Sequence, residues 1–248
     1  AERAAQIAIK FPRHQISWKP DLLLPVEDPR LWTGPLLFIK NICSPSGSIY
    51  AVTIKEKFEP EMEDSLKQLL APFENEGILT STAVIEDSSF LHGTGVVMQT
   101  LKNFAFRPNL LFLTIGSDPQ KDVLINHLYQ QANKNQMGVM LLRQHPRVAF
   151  GMQRDVNLWL RDRSPNWHLA VLLSLQLQLN WGGKINLITV ANTEDDKDYL
   201  YYFLQKLSDQ ARFPSLTNFH VLVGNFRDSL QEAPKADINI FGLSGSNI

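Results

Sequence analysis

The chain holds a single cysteine, Cys43, among its 248 residues. Neither an intramolecular disulfide framework nor a cysteine-based metal cluster can be built from it, and a reducing, cytosolic setting fits best. Charge of one sign is also lacking. There are 24 Lys and Arg against 25 Asp and Glu, a formal net charge of −1. A dedicated nucleic-acid binder would show a basic surplus, so nucleic acid is not an expected partner. Long apolar runs are missing as well. The longest, Leu169 to Leu179, is interrupted by Ser174, Gln176 and Gln178, whereas a membrane-spanning helix needs about 20 apolar residues. The N-terminus lacks the basic, apolar and small-residue succession of a secretory signal. It begins at Ala1, which either removal of a methionine or excision from a longer polypeptide accounts for.

What is present suffices for a packed core. Apolar residues make up 44% and charged residues 20%, which argues against wholesale disorder. At about 150 residues per domain, the length allows one large domain or two small ones. Nine short runs are rich in Leu, Val and Ile: Asp21–Val26, Ser48–Ile54, Ile78–Ile85, Asn109–Ile115, Met137–Leu142, Val156–Leu160, Lys184–Val190, Phe219–Val223 and Asp237–Phe241. Most are apolar at consecutive positions. Strands buried on both faces read that way, as in a parallel sheet covered by helices.

Helical patterns lie between these runs. In Pro60–Asn75 the apolar set is Met62, Leu66, Leu69, Leu70 and Phe73, one face of a 3.6-residue period. Ser117-Asp118-Pro119 predicts a helix start, with Leu124, Ile125, Leu128 and Ala132 on the buried side. Thr193 followed by Glu194, Asp195 and Asp196 predicts another, with Leu200, Phe203, Leu204, Leu207 and Ala211 as its stripe. Ser88–Phe104 reads as a weaker helix interrupted by Gly93 and Gly95. Trp167–Asn180 is read as a helix, although its tail alternates with period two. Strand and helix therefore alternate throughout, which predicts an α/β fold with mainly parallel sheets.

The chain repeats itself at an offset of about 135 residues. Leu31-Trp32 through Ile54 aligns with Asn166-Trp167 through Val190, and the helices Met62–Phe73 and Lys197–Phe213 follow at a similar offset. Two similar lobes are predicted, each a mainly parallel sheet flanked by helices, with the boundary near Arg143–Arg154. The second lobe stops after the strand Asp237–Phe241, where the first still has a helix and a strand to come.

Residues able to carry chemistry are few. None of His14, His92, His127, His145, His168 and His220 has the helical i, i+4 partner or the cysteine of a zinc site. Gly93-Thr94-Gly95 lacks the third glycine of a dinucleotide loop and marks a close helix contact or a break. Gly182-Gly183-Lys184 lacks the flanking residues of a phosphate loop and reads as a turn into the next strand. Gly242-Leu243-Ser244-Gly245 is not a nucleophile elbow, because the second glycine comes one position early. The acidic groups at Glu59–Asp64 and Glu194–Asp198 suit helix starts without a metal. The placement of Trp18, Trp32, Trp159, Trp167 and Trp181 suggests core or lobe-interface packing. Neither a catalytic residue nor a metal ligand is predicted. One generic ligand site remains, beyond the carboxyl ends of the first-lobe strands. Its candidates for a nucleotide or other anion are Val26, Glu27, Asp28, Gly116 and Ser117, although an ordinary strand-to-helix turn accounts for the same residues.

Six segments, in order from Trp18 to Ser244, carry a family resemblance. Trp18-Lys19-Pro20-Asp21 leading into Leu22–Leu24 resembles the opening of the cytosolic carboxy-terminal domain of cation-chloride cotransporters. Phe106-Arg107-Pro108-Asn109 with Leu110–Leu113 is similar to that family's Arg-Pro-Asn strand, and Gly138–Arg143 to its Gly-Val-Val-Val-Ile-Arg. Val156–Leu160, Lys184–Ile188 and Ala236–Ser244 resemble three further strands. The compact spacing is similar to prokaryotic members. The resemblance implies two lobes like universal stress proteins, a homodimer, and a place on the cytoplasmic face of the cell membrane beneath the transmembrane domain of the same polypeptide. Residues 1–16 would be the link from that domain, 17–150 the first lobe and 151–248 the second. The implied role is non-enzymatic: regulation and dimerisation of a transporter whose absent membrane domain performs electroneutral symport of Na+, K+ and Cl−. No cofactor is implied, and the long phosphorylated insertions of animal members have no counterpart. The alternative is a stand-alone tandem stress-like protein binding ATP or another nucleotide in the first-lobe crevice.

Overall fold

The computed structural model describes residues 18–104, 107–116, 118–145, 147, 149–161 and 167–242. The expected link at 1–16, the candidate Ser117 and the Ser244-Gly245 pair lie outside them. All nine apolar runs form strands: β1 (Asp21–Pro25), β2 (Ser48–Lys55), β3 (Leu79–Glu86), β4 (Leu110–Thr114), β5 (Gly138–Leu142), β6 (Val156–Trp159), β7 (Ile185–Ala191), β8 (Asn218–Val223) and β9 (Ile238–Phe241). The helices are α1 (Thr33–Cys43), α2 (Pro60–Glu74), α3 (Phe90–Leu101), α4 (Pro119–Lys134), α5 (Trp167–Trp181), α6 (Lys197–Ala211) and α7 (Phe226–Glu232).

Two sheets result, with orders β3-β2-β1-β4-β5 and β8-β7-β6-β9, and every pair of neighbouring strands is parallel. The second order repeats the first without its fifth strand among the described residues. In β1, Leu22, Leu23 and Leu24 are all fully buried. Leu22 and Leu24 face α1 and α2, through Phe38, Ile39, Leu66 and Leu70. Leu23 faces α3 and α4, through Met98, Ile125 and Leu128. Covering both faces is why the strand is apolar throughout. Asn109 then ties the strand starts together, donating Nδ2 to the Lys19 carbonyl (2.7 Å) and accepting from the Asp21 N–H (3.1 Å).

Three local readings are refined. Gly93 and Gly95 do not break a helix. They lie buried in α3, where a Cβ on Gly93 would sit 2.8 Å from Ile54 Cγ2. They mark a close contact, with α3 unbroken from Phe90 to Leu101. The acidic residues Glu194–Asp196 form a separate 3-10 turn before α6 begins at Lys197. The Gly182-Gly183 turn is present, and it needs its glycines. Gly182 has φ +69°, and a Cβ on Gly183 would fall 1.8 Å from the Arg154 carbonyl oxygen.

The lobes meet through α1 and α5, and one apolar core runs through both. Helix α5 is apolar on several sides because it packs on both the second sheet and α1, which explains its ambiguous periodicity. Polar groups fix the contact. Gln176 donates to the Ser44 carbonyl, and Asn180 donates to the Asn41 and Ser44 carbonyls. Phe38 stacks on Phe150 with ring centroids 5.3 Å apart. The junction at residues 151–155 is held by Asp237, whose carboxylate accepts from the N–H groups of Met152 (2.8 Å), Arg154 (2.9 Å) and Asp155 (3.0 Å).

A row of four asparagines crosses the second sheet at one register level, Asn218, Asn186, Asn157 and Asn239. Asn218 Nδ2 donates to Asn186 Oδ1 (3.0 Å), Asn186 Nδ2 to Asn157 Oδ1 (2.8 Å), and Asn157 Nδ2 to Asn239 Oδ1 (3.1 Å) and the Pro234 carbonyl (2.7 Å). Asn157 and Asn186 are buried, so these bonds replace solvent.

Candidate functional site

In the first lobe the strand order reverses between β1 and β4, and the crevice there opens beyond their carboxyl ends. The structure places Val26, Glu27, Asp28 and Gly116 at its rim. Each of the first three is already engaged. Val26 is fully buried; its N–H donates to the Val52 carbonyl (2.7 Å), and its own carbonyl accepts from the Thr53 hydroxyl. Glu27 pairs with Lys121 in the first turn of α4, Nζ to carboxylate 2.8 Å. The hydrogen bond to Glu27 raises the Lys121 ammonium above its ordinary value.

Asp28 grips Arg30. Its carboxylate accepts from Arg30 Nη2 at 2.8 Å and from the Arg30 backbone N–H at 3.0 Å, capping the 3-10 turn Pro29–Leu31. The side-chain bond to Arg30 comes first, then its N–H, in holding the Asp28 carboxyl down to about 2. Gly116 is uncrowded, since an added Cβ would meet nothing within 4 Å. The rim thus carries two carboxylates neutralised by their own partners. An anionic ligand would have to compete with Glu27 for Lys121.

The corresponding end of the second sheet holds a larger feature that sequence reasoning missed. A cleft of about 1070 Å³ opens over the carboxyl ends of its strands. Its floor is a cluster of Trp159, Phe226 and Phe241, with ring centroids 5.5, 5.7 and 6.0 Å apart. Trp159 Nε1 donates to Asn239 Oδ1 (2.9 Å), at the end of the asparagine row. Asn192, Asn225 and Asp196 stand on the walls. The floor offers flat apolar faces for stacking. Glu194, Asp195 and Asp196 beside it weigh against a phosphate. One signal was legible: Asn157 and Trp159 recur as Asn239 and Phe241, two residues apart in strands related by register.

Among the described residues the histidines do not cluster. His92 pairs with Asp87, Nδ1 to carboxylate 2.5 Å, and burial lowers the pKa of His220 on β8. Among the described residues no group of three His, Cys, Asp or Glu is placed to hold a metal ion, and no helix is long and apolar enough to cross a membrane. Of the tryptophans, Trp32 is buried against Phe112 (6.1 Å) and Trp18, Trp167 and Trp181 border the shared core.

Comparison with known proteins bears on these features. The family model described as the first C-terminal domain of prokaryotic cation-chloride cotransporters matches residues 24–150, and that of the second C-terminal domain matches residues 151–247. No curated protein matches. Among solved structures, the cytoplasmic domain of a prokaryotic cation chloride cotransporter is 31% identical, with a TM-score of 0.82, over 92% of this chain and 87% of that one. A universal stress protein from Pseudomonas aeruginosa is 10% identical, with a TM-score of 0.55, over 86% of this chain and 78% of its own. Another from Archaeoglobus fulgidus is 13% identical, with a TM-score of 0.53, over 84% and 78%. These two share the fold: paired parallel sheets flanked by helices, as in universal stress proteins. With both family models matched end to end, the chain belongs to the prokaryotic cation-chloride cotransporter family and comprises its first and second C-terminal domains.

Proposed function

We propose that this chain is a non-enzymatic regulatory and dimerisation module on the cytoplasmic face of the membrane. It orders the transporter dimer and couples the transmembrane domain of the same polypeptide to the cytosol. That domain would perform electroneutral symport of Na+, K+ and Cl−. In this reading residues 1–16 are the link, 17–150 the first lobe and 151–248 the second. The observation that supports it best is the single core shared by the lobes through α1 and α5. A body of this kind moves as one piece, which suits a mechanical coupler better than a hinged enzyme. Uptake of chloride and of a potassium tracer into proteoliposomes tests the proposal. Deleting this region from the transporter should alter flux and reduce the dimer fraction. Unchanged flux together with an unchanged particle mass would overturn it.

The second-lobe cleft favours a second reading, in which a small molecule regulates the module. ATP or another nucleotide in the first-lobe crevice is the candidate carried from the sequence, the acidic wall making the second-lobe cleft the poorer site for its phosphates. Calorimetric titration with ATP and ADP tests it, and Gly116→Trp and Trp159→Ala assign the site. An absence of heat with either nucleotide would sink this reading.

A further inference from the structure

Strand β3 is the outer strand of the first sheet. Its eight residues pair with β2 without a bulge, from Leu79 opposite Ser48 to Glu86 opposite Lys55. Its free side is therefore an unbroken row of backbone donors and acceptors. Natural edge strands are usually blunted by Lys, Pro, a bulge or a cover. Leu79–Ile85 contains none of the first three and no charge. Partial or full exposure along the whole strand shows that the second lobe does not cover it.

The strand also borders an apolar groove of about 220 Å³ between β2, β3 and α3, lined by Tyr50, Ala83, Ile85, Val96 and Phe104. Its apolar lining is open to solvent, Val96 being 43% exposed and Phe104 59%, and Leu79 at the start of the strand is 54% exposed. The other outer strands are poorer templates. β5 packs Gly138 against Leu169 of the second lobe, β8 has six residues with His220 among them, and β9 has four.

We propose that two copies of this chain pair β3 with β3 antiparallel about a twofold axis at Thr82, joining two five-stranded sheets into one of ten. The proposal rests on the dimerisation reading above and names its surface. A twofold axis normal to the sheet must pass between identical residues. Centring it on Thr82 sets Leu79 opposite Ile85, Thr80 opposite Val84 and Ser81 opposite Ala83. All are small, β-branched or apolar pairs that suit cross-strand packing. The only charge on the strand, Glu86, falls opposite Ile78, so no like charges meet. The same axis places both α3 helices on one face, where the two grooves merge and their rims are covered. At about 3.4 Å per residue β3 is about 27 Å long, and three layers of about 10 Å give a contact of about 700–800 Å² per copy, close to the standard size for a specific interface.

The test is a cysteine placed at the axis. Thr82→Cys should give a reducible dimer as the main product of mild oxidation. Thr80→Cys should not, because its copies lie about 13 Å apart in this register. The native Cys43 is fully buried and supplies a silent background. In parallel, sedimentation equilibrium of Leu79→Lys/Ser81→Lys should show a dimer at least tenfold weaker than the parent, with an unchanged circular dichroism spectrum. A parent chain that stays monomeric at 100-fold increasing concentration overturns both the dimerisation reading and the surface. A dimer that neither cross-links through Thr82→Cys nor weakens with the lysines overturns the surface alone.

Discussion

Asp237 offers a direct test of how the lobe junction is held. Its carboxylate accepts three backbone N–H groups from a turn more than eighty residues away, at 2.8, 2.9 and 3.0 Å. Hydrogen bonds to a charged group contribute about 1.5–3 kcal/mol each when buried. Asp237 is only half-buried, so about 1 kcal/mol each is the appropriate discount for solvent screening. Asp237→Ala removes all three and should cost about 3 kcal/mol, a fall in Tm of about 6–12 °C for a chain of this length. Asp237→Asn keeps one acceptor oxygen and should cost about 1–2 kcal/mol. Urea unfolding followed by tryptophan fluorescence measures both.

The dependence on pH adds a second readout. Burial alone would raise the Asp237 carboxyl, but the N–H donors of Asp155, Met152 and Arg154 outweigh it and hold it below the ordinary range. A depressed carboxylate contributes stability that is complete above the unfolded pKa, about 4, and is lost as pH falls through the folded value. The advantage of the parent over Asp237→Asn should therefore be constant from pH 8 to 5 and shrink below about pH 4. An Asp237→Ala chain within 0.5 kcal/mol of the parent, or a difference that does not shrink in acid, would refute the reasoning.

Other expectations follow from the same geometry. Asn157→Ala takes the acceptor from the buried Asn186 Nδ2 and the donor from the Pro234 carbonyl, and should cost about 2–4 kcal/mol in the same urea assay. Phe38→Ala removes a ring that is 2% exposed and stacked on Phe150, at a cost of about 3–5 kcal/mol. Because the core is shared, calorimetry on that variant should still show one transition. Gly183→Ala should lower soluble yield sharply, since its Cβ would overlap the Arg154 carbonyl. Burial pushes the Cys43 thiol well up, so a thiol reagent at pH 8 should label the native chain only on unfolding.

The strands were legible because parallel sheets leave an apolar signature at every position, and Leu22–Leu24 or Ile185–Ile188 need no partner to be recognised. The repeat was legible for the same reason. Helix α7 escaped because its seven residues are too short for a period to emerge. The role of Asn157 escaped for a different reason. Its partners lie 29 and 82 residues away, and only the register of β6 with β7 and β9 brings them together. Glu27 and Asp28 stand just beyond the carboxyl end of β1. Their engagement with Lys121 and Arg30 depends on rotamers that no spacing reveals.

The asparagine row has a sense of direction. An amide can present oxygen or nitrogen to either side, so four in line could run either way. Two neighbours remove that freedom. The Trp159 indole can only give a proton and the Pro234 carbonyl can only take one. The first holds the Asn239 oxygen towards β6, and the second holds the Asn157 nitrogen facing it, towards β9. Every amide dipole across the sheet then aligns from β8 towards the aromatic floor of the cleft. Replacing the indole by a phenyl ring would delete the latch at one end. Whatever settles on that floor meets a surface whose polarity is set four strands deep.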